Sequence, residues 1–190
     1  MNNGDSHSRL AKSYAQMNAG KYNEARVSFE RLANEGERQA IFYLAWMDEK
    51  GFGDAIDEAR AAERYRYLCE AGDQLAFYYF AAMKLRQGDA AGALALFMRA
   101  ADSGNPSGAY WASAIHSGHG GYPLNAEMAR KYLIRAAELG HVFAQRDLAR
   151  GRMQAPTGIG ARLTGTIEYV FAKVKGFAMI VRYVSDFRVR

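Results

Sequence analysis

The sequence predicts an all-α protein, a solenoid of helix–turn–helix repeats ending in an amphipathic C-terminal helix, and three observations carry that expectation. An apolar–alanine pair recurs as Leu10-Ala11, Leu44-Ala45, Phe80-Ala81, Trp111-Ala112 and Leu148-Ala149, with alanines 34, 36, 31 and 37 residues apart. An alanine followed eleven residues later by a glycine recurs as Ala25/Gly36, Ala61/Gly72, Ala93/Gly104 and Ala129/Gly140. Apolar residues between these marks fall at helical steps of three and four, as in Leu10, Tyr14 and Met17 or Ala25, Phe29 and Leu32. A period of about 34–36 residues is that of stacked helix pairs. The recurring alanines let two helices approach closely, and each glycine stops a second helix in the left-handed backbone.

In chain order, a loose polar start at residues 1–6 precedes a first pair over 7–18 and 22–35, joined at Gly20. The second pair is expected over 38–50 and 57–71, and Asp57 suits the start of its second helix, where a carboxylate accepts backbone N–H bonds. This capping reading of Asp57 is preferred to a catalytic one. The third pair, 75–87 and 90–103, turns at Gly88-Asp89, and Pro106 separates it from a fourth over 107–117 and 125–139. Residues 142–154 look like a first helix without its mate. The repeat body is thus expected over 1–154, and a helical tail over 155–190.

Residues 51–72 resemble the Sel1-like variety of tetratricopeptide repeat, whose loop and second helix read G-x-G-V-x-x-D-x-x-K-A, then an aromatic, then A-A-E-x-G. Gly51, Gly53, Asp57, Arg60, Ala61, Tyr65, Glu70 and Gly72 stand at those places, with Arg60 for lysine and Asp54 for valine. Gly118, Gly120, Asn125, Ala129, Tyr132, Ala136, Ala137, Glu138 and Gly140 make a second copy, one residue longer in the loop. Units one and three are more similar to plain tetratricopeptide repeats, through Gly20, Tyr22, Ala25 and Phe29, and through Phe77, Phe80, Ala81, Gly88, Ala93, Phe97 and Ala100. The resemblance covers roughly residues 5–154. It implies a right-handed α-solenoid that binds protein partners, and it does not name them.

The 49% apolar fraction of the 190 residues is ample for a continuous core. The start MNNGDSHSRLAKSYAQ has neither the early basic cluster nor the apolar core of a secretory signal, so cytoplasmic residence is expected. Cys69 stands alone and cannot form an internal disulfide, which sets the chain apart from Sel1-like proteins with a cysteine pair in every repeat. It reads as a small buried packing residue.

The formal charge of +5 is uneven: residues 1–149 hold 17 basic and 18 acidic side chains, residues 150–190 hold 8 and 2. The tail therefore suits contact with something anionic. A last helix is expected over 162–187 after the break APTGIG at 155–160. Leu163, Ile167, Val170, Phe171, Val174, Phe177, Ala178, Val181 and Val184 share one broad apolar face, with Glu168, Lys175, Arg182 and Asp186 in a narrow polar strip. Its uncharged run from Gly176 to Val181 is far below the ~20 residues of a membrane span. Capping the solenoid, resting in a membrane interface and packing on another chain are the three fates open to it. Lys173, Lys175, Phe177, Val181, Arg182 and Val184 are the residues expected to make such membrane or partner contacts.

In tetratricopeptide-like arrays the first helix of each unit lines a concave face. Carried over by position, that geometry makes Phe42, Trp46, Tyr78 and Leu85 a groove for a peptide or helix, with Lys12 and His116 at its flanks. The same aromatics also suit the core. No nucleophile–base–acid pattern, phosphate-cradling loop or metal-ligand cluster is present, so neither catalysis nor a cofactor is expected. His116 and His119 lack the cysteine or carboxylate ligands of a metal site nearby. Nucleic acid is disfavoured, because arginines outside the tail are balanced by acids along the repeats. The expectation is a non-catalytic protein–protein scaffold or adaptor. The alternative is a peripheral membrane accessory factor of an envelope, polysaccharide or secretion assembly, held at the inner face of the membrane by its tail.

Overall fold

A computed structural model of the chain describes residues 3–154 and 159–188; for residues 3, 4, 159, 161, 162, 177 and 179–188 the description covers the backbone alone. The described residues form ten α-helices and no strand: α1 (Asn3–Asn18), α2 (Tyr22–Asn34), α3 (Arg38–Lys50), α4 (Glu58–Glu70), α5 (Gln74–Arg86), α6 (Ala90–Asp102), α7 (Pro106–His116), α8 (Ala126–Glu138), α9 (Val142–Gln154) and α10 (Ile159–Arg188). A short 3₁₀ turn, His119–Gly121, lies between α7 and α8.

Capping chemistry sets the boundaries. The side chains of Asp57, Asp89, Asn105 and Asn125 each accept the backbone N–H three residues on, at 2.9, 2.8, 2.9 and 3.1 Å. The second helices stop alike. Gly72 takes φ +79°, and the N–H of Asp73 then reaches back to the Leu68 carbonyl at 2.9 Å. The same bond follows Gly36, Gly104 and Gly140. At the start, α1 begins at Asn3, earlier than a loose segment over 1–6 implies. Asp5 sits in its first turn and pairs with Arg9 at 3.4 Å, which favours the helical form against the dipole.

Contacts divide the chain into two compact units, residues 1–80 and 81–190. In the first, Leu10, Met17, Ala25, Phe29, Leu32, Ala40, Leu44 and Met47 form a buried cluster between α1, α2 and α3. On α4, Ala61, Tyr65, Leu68 and Cys69 are buried as well. Tyr14 stays 40% exposed and lies over Tyr43, so the α1 stripe is narrower than its spacing implies.

In the second unit small residues set the helix spacing. A Cβ on Gly108 of α7 would meet Ala100 Cβ at 2.7 Å and the Phe97 carbonyl at 3.0 Å on α6. Phe97 stacks on Trp111 beside this crossing, with centroids 6.0 Å apart. The unmated α9 has a mate after all, since α10 packs along it. A Cβ on Gly165 would meet the Met153 nitrogen at 2.9 Å and the Ala149 oxygen at 3.0 Å, and Ala172 and Gly176 are buried on the same side of α10. The wheel's broad apolar face does not make this contact: Leu163, Ile167, Val170, Phe171 and Val174 are 54–64% exposed. Glycine and alanine allow a close crossing that branched side chains prevent.

Candidate functional site

The sequence-derived groove residues fall into the two units. In residues 1–80, Lys12 is exposed on α1, and Trp46 is half-buried against the core with its ring 5.0 Å from Phe52. Tyr78 is half-buried and meets Tyr79 edge-on. Phe42 is only 9% exposed, enclosed by Tyr43, Tyr65 and Tyr79 at centroid distances of 5.7, 6.1 and 5.0 Å. In residues 81–190, Leu85 is half-buried beneath the turn at Gly120, where a Cβ would come within 3.2 Å of it. His116 is 7% exposed, stacked on Tyr132 and edge-on to Tyr122, and neither ring nitrogen has a hydrogen-bond partner. Burial holds its pKa below the usual imidazole range.

His119 lies against Trp111 instead, and no group of three or more histidine, cysteine or carboxylate side chains gathers among the described residues. His141 stacks on Tyr110 at 4.3 Å, and its Nδ1 accepts the Ala144 N–H at 3.3 Å, so it caps α9.

The densest charge in the first unit surrounds Asp48, which is fully buried. Its Oδ1 accepts from Arg26 Nη1 and Arg60 Nη2, both at 2.8 Å, and its Oδ2 pairs with Arg64. Arg26 also donates to the Phe52 carbonyl at 3.0 Å, and Arg60 to Asp54 at 2.8 Å, so the cluster ties loop 51–57 to α2, α3 and α4. Burial pushes the guanidinium pKa values of Arg26 and Arg64 down, and each is lowered further by an arginine neighbour. A buried carboxylate facing three guanidinium groups organises structure. In the sequence Asp48 simply ends the apolar run Leu44-Ala45-Trp46-Met47 and is followed by Glu49 and Lys50, so nothing local sets it apart as buried.

The feature suited to binding lies in the second unit. A groove of about 930 Å³ runs between α7, α8 and α9, lined by Leu133 and Ile134 of α8 and Leu148 of α9. Leu124, 72% exposed, stands at its mouth, and Arg130, Glu138, Asp147 and Arg152 border it. A smaller groove of about 310 Å³ shares Ala137, Leu148 and Arg152 with it and carries the lining on to Phe171 and Lys175 of α10. Leu124, Leu133 and Ile134 are not among the groove residues that the sequence predicts. Leu124 breaks an otherwise polar, glycine-rich loop, which is the signal that could have drawn attention to it.

On α10, Lys173 and Lys175 are exposed. The side chains of Phe177, Val181, Arg182 and Val184 lie outside the described residues. Arg152 holds Glu168 in a two-oxygen contact at 2.6 and 2.7 Å, and Arg150 and Lys173 lie over the Tyr169 ring at 5.7 and 5.3 Å. No described helix is long and apolar enough to cross a membrane.

Two solved structures that match this arrangement of helices are described as a Sel1 repeat protein and as an SLR fold. A Sel1 repeat protein from Oxalobacter formigenes matches with a TM-score of 0.75 at 20% identity, over 90% of this chain and 73% of that one. A protective antigen present in uropathogenic Escherichia coli strains, described as displaying an SLR fold, matches with a TM-score of 0.71 at 21% identity over 90% of this chain. This chain spans 38% of that antigen's length. No protein-family model and no curated protein matches the sequence. The fold is therefore that of Sel1-like repeat proteins, an α-solenoid of helix pairs.

Proposed function

We propose that this protein is a non-catalytic adaptor that binds a peptide or helix of a protein partner. The observation that carries this reading is the α7–α9 groove, whose half-buried Leu133, Ile134 and Leu148 offer apolar surface inside a charged border. Such a site can desolvate an anchor residue while its rim fixes orientation. In the first unit Lys12, Trp46 and Tyr78 are the partner-facing residues, and Phe42 is the further residue assigned to them, enclosed by Tyr43, Tyr65 and Tyr79. In the second, Leu85 and His116 are the residues assigned to partner contact. Residence in the cytoplasm suits this role. A tethered form of the same reading, a peripheral factor of an envelope, polysaccharide or secretion assembly, requires a surface on which α10 can rest.

The test is selection of displayed helical and extended peptides against the full chain, followed by binding to Leu133→Glu and Ile134→Glu variants of unchanged helicity. Selected peptides should compete with one another and lose at least about tenfold in affinity, the scale of one buried anchor. Peptides that bind both variants as well as the native chain would place the site elsewhere.

A further inference from the structure

The side of α10 turned to α9 is built of Gly165, Ala172 and Gly176. The opposite side carries Leu163, Ile167, Val170 and Val174, each between 54 and 61% exposed. At 3.6 residues per turn these four share a sector about 60° wide and about 17 Å long, and Lys173 and Lys175 project to its two sides. Both lysines are exposed. Glu168 is held by Arg152, and no acidic side chain among the described residues shares the apolar sector. The segment from residue 150 onward holds eight basic and two acidic residues.

We infer that α10 docks on an anionic lipid surface, lying along it with Val170 and Val174 towards the acyl chains and Lys173 and Lys175 extended to the headgroup phosphates. A narrow apolar sector with cationic flanks suits the boundary between acyl chains and headgroups, where the lysine stems lie along apolar surface and the charges reach out to anions. Charge selects this occupant over a second copy of the chain. Two such faces set against each other would bring like-charged lysines together, and Glu168, the acid of α10 among the described side chains, is already held by Arg152. The inference stands apart from the groove reading, because the two use different residues.

The experiment is flotation of the full chain with phosphatidylglycerol-containing and pure phosphatidylcholine vesicles, at about 0.1 M and about 1 M salt, between which the screening length falls from about 10 to about 3 Å. Binding is expected on the anionic vesicles at low salt and should weaken sharply at high salt. Lys173→Gln and Lys175→Gln should each reduce it about fivefold, and both together about twenty-five-fold. Val170→Asp should abolish it while helicity and melting are unchanged, since that side chain faces away from α9, and Leu133→Glu should leave it intact. Absence of binding to anionic vesicles overturns the inference, as does equal, salt-insensitive binding to both lipids. A self-associated chain that Val170→Asp converts to monomer overturns it too, by assigning the face to a second copy.

Discussion

The helices α2–α4 and α6–α8 are two versions of one arrangement. Tyr22 and Ala90, Arg38 and Pro106, and Glu58 and Ala126 begin matching helices, each pair sixty-eight residues apart. The loops close alike: the Asp57 N–H reaches the Asp48 carbonyl at 2.9 Å, and the Asn125 N–H reaches that of His116 at 2.8 Å. In this register buried Arg26 corresponds to buried Leu94, Asp48 to His116, Arg60 to Met128 and Arg64 to Tyr132. One version locks its loop with a carboxylate and three arginines. The other puts an unpartnered imidazole on a tyrosine ring. Caps, stop glycines and the buried Ala25/Ala93, Phe29/Phe97 and Ala61/Ala129 recur in both, while the lock between them differs.

Asp48→Ala should be the most damaging change, because it leaves three arginines facing a site without a counter-charge. A loss of about 3–5 kcal/mol is expected in urea unfolding. A loss below about 1 kcal/mol would show that the ionic cluster is not what holds loop 51–57. Next come the caps, where Asp57→Ala and Asn125→Ala should each cost about 1 kcal/mol, read by the same unfolding curves. Equal costs would mean that the caps serve both versions alike, and a much larger cost at Asp57 would tie it to the arginine cluster.

Acid should act on the second version through His116. Its folded pKa lies below that of the unfolded imidazole, so the unfolded chain takes up the proton first. Stability is complete above the unfolded value of about 6.5 and declines as pH falls through it towards the folded value. Melting temperature measured across this range should drop towards acid, and His116→Phe should flatten part of that slope. His141, also depressed by burial, supplies a remainder of the same sign. An unchanged slope in His116→Phe would clear His116 of the effect. A net change smaller than that of Asp48→Ala is expected from the transplant Arg26→Leu, Asp48→His, Arg60→Met and Arg64→Tyr, which exchanges the whole lock. Its stability should stay within about 2 kcal/mol of the native chain, since an apolar set of similar volume often replaces a buried ionic one without loss. A loss as large as that of Asp48→Ala alone would break the equivalence of the two versions.

Helix existence and most boundaries were legible because they depend on local chemistry. The second helix expected over 57–71 is Glu58–Glu70, and that over 125–139 is Ala126–Glu138. The register inside the fourth pair was less legible. Matching Leu44-Ala45 to Trp111-Ala112 and Gly51 to Gly118 placed an extra residue in the loop. The caps and loop hydrogen bonds instead put Ser113 in the place of Ala45, where its hydroxyl donates to the Ala129 carbonyl at 2.7 Å. The glycine arrives one residue early because α7 ends at His116, two residues before the position matching Lys50, the end of α3. The groove of α7–α9 was legible only through Leu124 in its loop, since Leu133 and Ile134 come from a face of α8 that periodicity does not rank.

By itself the sequence determined an all-α chain of repeated helix pairs, because capping carboxylates, left-handed glycines and apolar periodicity act within a few residues of one another. Only the tertiary structure decided which face of each helix is covered. On α10 hydrophobicity singled out the valine and leucine face, yet Gly165, Ala172 and Gly176 took the contact with α9. Transfer from water ranks side chains by apolar area, whereas a helix crossing is limited by how near two backbones can come. The same distinction set Asp48 inside the first unit, where three arginines from two other helices reach a carboxylate that no local pattern marks as buried.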